Sequence, residues 1–159
     1  MYKSKLPGHA RVWVYQNTGE IAAEDIPKIE SALHDFVSNW RSHNQALNAE
    51  GKVLNKRFIL LAVDEQQAAA SGCSIDTSVQ FMKELERTYG LDLFNRMYFS
   101  YVDESGAVKT VDHLTFAKLY ADGIITDETK VMDTMVKNIA ELQSDFVRPL
   151  ADSWHKRMV

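Results

Sequence analysis

One cysteine in 159 residues, Cys73, excludes an intrachain disulfide and any metal site built from several thiolates. Basic residues are also few: 18 Lys and Arg stand against 22 Asp and Glu, for a formal charge of -4. A general nucleic-acid binder would show a basic face, and here the densest basic group is His155-Lys156-Arg157. Long apolar runs are missing, since the longest, Phe58–Val63, is far too short to span a bilayer. Met1–Gly8 is polar and lacks the apolar stretch of a secretion signal, so a soluble, cytoplasmic protein is the expectation. Glycine motifs fail as well. Gly51-Lys52 is followed by Val53 and preceded five residues earlier by Ala46, so no P-loop exists, and neither G-x-G-x-x-G nor G-x-S-x-G occurs. No cofactor and no metal are expected on these grounds.

What is present suits a packed domain. At 45% hydrophobic and 25% charged residues, a chain of this length can bury roughly 70% of its unfolded surface. Ala10–Gln16 carries Val12 and Val14 on one face and Trp13 and Tyr15 on the other, which reads as a strand covered on both sides. Ile26, Ile29, Leu33, Phe36, Val37 and Trp40 recur at helical spacing, with Pro27 in the first turn and an end near Ser42-His43-Asn44. Leu47–Leu54 and Lys56–Asp64 read as strands, the second again apolar on both faces. A helix over Ser74–Tyr89 stops at Gly90, and Arg96–Val102 is a fourth strand that turns at Asp103–Gly106 into Ala107–Val111. The order β-α-β-β-α-β predicts an α+β fold with a ferredoxin-like split βαβ core over residues 1–102. That topology places the first and third strands at the sheet centre.

Residues 103–159 read as a hairpin plus a mostly helical extension. Asp112 caps a helix over Leu114–Ala121, stopped by Gly123. Beyond Thr126, Val131, Met132, Met135, Val136, Ile139, Leu142 and Phe146 fit one long amphipathic helix. Alternatively, Thr129–Asp133 is a strand and the helix starts later. Either way the tail has apolar surface to bury, most naturally on the sheet face that the two main helices leave bare.

Reactive side chains concentrate between the third strand and the second helix: Asp64, Glu65, then Ser71-Gly72-Cys73-Ser74-Ile75-Asp76. Amides at a helix start carry partial positive charge, which can lower a thiol pKa or hold an anion. Topology brings the end of the first helix, with Trp40 and His43, to the same rim. Cys73, His43, Asp64 and Glu65 are therefore the candidate catalytic group, and Trp40, Ser71, Gly72, Ser74 and Asp76 the candidate binding group. The competing reading is structural: Ser71, Ser74 and Asp76 are capping residues, Gly72 suits a tight turn, and His43 caps the first helix. His34 lies off the apolar stripe, and His9, His113 and His155 have no neighbour at ligand spacing.

The stretches FVSNWRSH (36–43), RFILLAVDEQQAAASGCSID (57–76) and PLADSWHKR (149–157) resemble a family of short bacterial proteins of unknown function, marked by the SGCSID motif. Members are sometimes labelled ABC-transporter ATPases, but the loop and signature that label requires are absent here. The segment YFSYVDESGAVKTVDHLTFAKLYADGIITDETKVMD resembles the GYF-like modules, without the tryptophan they carry nearby. That likeness implies peptide binding. The leading expectation is a non-catalytic binding or assembly protein, a homodimer joined through Met132, Met135, Trp154 and Met158. Its rivals are an enzyme or small-anion binder at Asp64–Asp76, and a GYF-like peptide binder.

Overall fold

The computed structural model describes residues 2–159. Its centre is β5 (Phe58–Asp64), paired antiparallel with β1 (Arg11–Gln16) on one side and β4 (Asn48–Leu54) on the other. Alternation along β5 serves two cores at once. Ile59, Leu61 and Val63 face α1 (Ile26–Ser38) and α2 (Gly72–Tyr89), where Leu33, Met82 and Leu85 close the layer and Phe36 stacks on Phe81 at 4.4 Å. Phe58, Leu60 and Ala62 face the other way, onto Met132, Val136, Ile139, Leu142 and Phe146. The tail thus covers the face that the helices leave bare. Close packing of α1 on β4 needs Gly51, because a Cβ there would sit 3.1 Å from the Leu33 Cβ.

Turns explain the register. Asn55 and Lys56, at φ of 52° and 56°, make the left-handed two-residue turn that suits the twist of a β4–β5 hairpin. A smaller hairpin, β2 (Arg41–Ser42) and β3 (Gln45–Ala46), turns in the same way on His43 and Asn44. The first helix accordingly ends at Ser38, where the Asn39 amide donates to the Phe36 carbonyl and the Trp40 amide to the Val37 carbonyl. It does not run to residues 42–44, and His43 does not cap it.

The first three strands keep the order expected of a split βαβ unit, but the four-strand ladder does not form. The fourth, β6 (Tyr98–Val102), pairs with β7 (Val108–Asp112) and with β8 (Lys130–Met132) in a second sheet of order β7-β6-β8-β9, where β9 is Val147–Pro149. The free edge of β1 is taken instead by the tail: the Val12 amide donates to the Lys137 carbonyl and the Ile139 amide to the Ala10 carbonyl, both at 3.0 Å. At the far end of β1, the buried Gln16 amide group donates to the Tyr98 carbonyl and accepts from the Ser100 hydroxyl, each at 2.8 Å. A polar bridge joins β1 to β6 where a ladder was expected, so β5, not β1, holds the centre.

The alternative of one long helix from Val131 is also overturned. Val131 pairs with Arg148 and Tyr101 inside the second sheet, and α4 is confined to Ile139–Asp145. A third core, built from Phe99, Tyr101, Phe116, Ile125, Val131 and Leu150, lies under α3 (His113–Ala121) and two short 3-10 turns, Leu150–Asp152 and Trp154–Met158. Asp112 caps α3, accepting from the Leu114 and Thr115 amides. Among the described residues no helix is long and apolar enough to cross a membrane.

Candidate functional site

At the start of α2 the side chains mostly serve the loop itself. The Ser71 hydroxyl accepts from the Ser74 amide, and the Ser74 hydroxyl accepts from the Ser71 amide at 2.6 Å, a reciprocal capping box. Glu65 accepts from the Ala70 amide at 2.9 Å and closes the loop across its base. Asp64 accepts from the Gln66 amide and lies 3.4 Å from His9 Nε2, while Glu65 is 4.0 Å from Arg11. The partner of Asp64 is therefore His9, a residue with no suitable neighbour in sequence. Two of the four candidate catalytic side chains are occupied in shaping the loop.

The rim itself does form. Trp40, only 3% exposed, donates its indole N–H to the Ser74 carbonyl at 2.9 Å, and β2 packs against α2. The exit of α1 thus meets the entrance of α2. Trp40 is spent in doing this, because its ring also lies edge-on to Trp13 and against Phe36. Gly72, Cys73 and Asp76 are exposed on the first turn of α2, and His43 is exposed at the tip of the small hairpin. Among the described residues no group of three His, Cys, Asp or Glu side chains is arranged to hold a metal ion.

The concave surface lies elsewhere. A groove of about 980 Å³ runs between the β6–β7 turn and the loop Gly123–Lys130 that follows α3. Beside it β6 and β8 pair at a single position, Tyr101 with Val131. Gly123, at φ of 73°, reverses the chain after α3 and sends Ile125 into the core while Ile124 stands 61% exposed on the lip. Tyr101, Val102 and Ile125 supply the apolar floor, and Asp103, Glu104 and Glu128 an acidic rim, with Lys130 the one basic lining residue. Asp103 is held below the usual carboxylate range, chiefly by the Ser105 hydroxyl, with the Ala107 and Ser105 amides adding to it.

The far wall of this groove is strapped from behind. The Leu150 amide donates to the Thr129 carbonyl and the Ala151 amide to the Asp127 carbonyl. Lys156 Nζ reaches both the Asp127 carboxylate and the Tyr120 hydroxyl at 2.6 Å. Beside it His155, 1% exposed, stacks on Trp154 and meets Phe99 and Phe116, with the Ser153 hydroxyl 2.6 Å from Nδ1. Burial pushes this imidazole down to about 4, against the pull of Asp133. Within the basic group at the C-terminus, His155 is therefore a buried neutral ring and Lys156 a clamp. Of the residues expected on an association surface, Met132 is 2% exposed, Trp154 donates to Asp133 and Met158 packs on the third core, whereas Met135 stays 60% exposed.

Compared with known protein families, characterised proteins and solved structures, the chain finds no match.

The groove could be anticipated in part. Its elements fall within residues 98–133, where the turn at Asp103–Gly106 and the helix stop at Gly123 are local signals. The β6–β8 pairing beside it is carried by no local pattern.

Proposed function

We propose that this chain is a non-catalytic binding protein whose binding face is the groove between the β6–β7 turn and Gly123–Lys130, and that the groove takes an extended peptide. The observation that carries this reading is Ile124, 61% exposed on the lip of an apolar floor formed by Tyr101, Val102 and Ile125. A large side chain without packing partners, beside a concave apolar surface, is what a binding site for a flexible segment requires. The likeness of this segment to GYF-like modules agrees with the proposal. The test is to pan a library of random eight-residue peptides against the chain and against its Ile124→Ser variant. Enrichment with the first and not the second is expected; equal enrichment, or none, overturns the reading.

A second reading keeps the α2 rim as a ligand or thiol site, with Cys73, His43, Asp64 and Glu65 as its reactive members and Ser71, Gly72, Ser74, Asp76 and Trp40 around them. Its support is an exposed thiol in the first turn of α2, on the rim where Trp40 joins the two helices. Iodoacetamide labelling across pH tests it: a midpoint well below 8 is required, and that of a free thiol removes it. The free thiol also suits a reducing, cytoplasmic setting. A homodimer now rests on the smaller apolar surface of Met135 and Val147, and a strict monomer by light scattering at micromolar concentration counts against it. The strand order β1-β5-β4 with α1 and α2 on one face supports reading the first half as a ferredoxin-like half-sheet. Membership of the SGCSID family is likewise a proposal, and it brings no activity with it.

A further inference from the structure

We infer that the segment held in this groove is basic: an extended stretch of a partner protein in which an apolar side chain meets Ile124 and flanking Lys or Arg residues meet the acidic rim. The inference rests on the groove reading and adds the partner's chemistry. Its ground is charge complementarity around an apolar floor. Asp103 and Glu104 stand on one bank and Glu128 on the other, so a chain lying between them passes carboxylates on both sides.

Among the described residues, none of the three carboxylates makes an ion pair within the chain. Asp103 accepts hydrogen bonds from the Ser105 and Ala107 amides and the Ser105 hydroxyl, neutral donors that stabilise the ionised form; Lys109 on β7 adds a weaker pull and makes no ion pair with it. Glu128 accepts from the Thr126 hydroxyl, again a neutral donor. Glu104 is exposed at the tip of the turn. Asp127, next to Glu128, is the exception, because Lys156 pairs with it from behind the wall. Lys156 thus offsets the Asp127 carboxylate, and both side chains are half-exposed. Lys130 alone opposes the acids across the groove. An acidic segment or a nucleic acid backbone would meet repulsion from both banks.

An apolar anchor and flanking charges divide the work in a known way. Burial of the anchor against Ile124 and Tyr101 supplies affinity, while rim charges speed encounter, select the partner and give way to salt. Because the carboxylates are at the rim, their effect on affinity is modest and their effect on selection larger.

The experiment extends the same panning to an E104Q/E128Q double variant, which alters two surface side chains and no backbone contact of the wall. Peptides recovered on the unmodified chain are expected to combine an apolar residue with Lys or Arg, and the double variant is expected to lose that bias. The strongest recovered peptide should bind the double variant about fivefold more weakly by calorimetry, and should weaken on the unmodified chain as salt is raised. Neutral or acidic peptides, or binding unchanged in E104Q/E128Q, would overturn the charge inference while leaving the groove reading intact. Failure of any peptide to depend on Ile124 removes the groove reading and this inference with it. A doubled mass by light scattering that is lost in Ile124→Ser would mean that a second copy of this chain occupies the groove, and would equally overturn it.

Discussion

The loop before α2 and the loop after α3 are both stitched by their own side chains, but different segments brace them. Before α2, Glu65, Ser71 and Ser74 turn inward to satisfy amides of their own loop, and Trp40 locks the helix start to the core. After α3, the Thr126 and Thr129 hydroxyls likewise accept from amides of their own loop, Leu150, Ala151 and Lys156 add contacts from the C-terminal segment, and Ile124 and Glu128 line the groove. A loop braced by another segment can offer its outer face. The density of reactive residue types in sequence points to the first loop, and the groove lies at the second.

The comparison breaks most visibly at Trp40. Trp40→Ala removes a buried indole and its hydrogen bond to the Ser74 carbonyl, and should cost about 3–5 kcal/mol in urea unfolding. A loss below about 1 kcal/mol would mean that the α2 rim is held by something else.

The brace behind the second loop is sensitive to pH. With an ordinary value of 6.5 in the unfolded chain and about 4 in the fold, His155 takes up a proton more readily when unfolded. Its contribution is fully present above pH 6.5 and is lost as pH falls toward 4, amounting to about 3 kcal/mol across that window. Asp103, Asp112 and Asp127, whose carboxyls are all held low, lose their share only further down. Unfolding measured from pH 7 to 4.5 should show the slope, and His155→Gln should flatten it. An unchanged slope in the variant would sink this account of the strap.

A smaller effect separates the two loops more finely. Ser71→Ala removes the cap of α2 and should cost about 1 kcal/mol, with no change in peptide capture at the groove. A change in capture would show that the two loops are coupled.

How much of this was legible follows from which contacts are local. Phe58–Val63 reads as a strand with two buried faces because every residue in it is apolar, and the structure puts a core on each side. The helix caps at Ser71 and Asp112 and the stops at Gly90 and Gly123 were legible for the same reason: partner and signal lie within a few residues. Val131–Phe146 misleads because its apolar spacing fits a helical period, while the pairing of Val131 with Arg148 and Tyr101 overrides it from a distance. His155 has no neighbour at ligand spacing in the sequence, and what encloses it, Phe99 and Phe116, lies far away in the chain. His43 gave no turn signal of the usual kind, since its hairpin lacks the glycine that most such turns use.

The smallest expected effect on stability is also the one that bears most directly on function. Ile124 and Ile125 are neighbours of identical composition, one 61% exposed and the other 1%. Ile125→Ala should cost about 2–4 kcal/mol, because it empties a place in the core under Phe116 and Leu150. Ile124→Ser removes a side chain that packs on little and should leave unfolding within about 0.5 kcal/mol of the original chain. If Ile124 belonged to the fold, the two substitutions would differ little in kind, and both would melt the loop. If it belongs to a partner, Ile124→Ser keeps the stability and loses the peptide, an outcome that thermal unfolding and calorimetry on the same sample can separate.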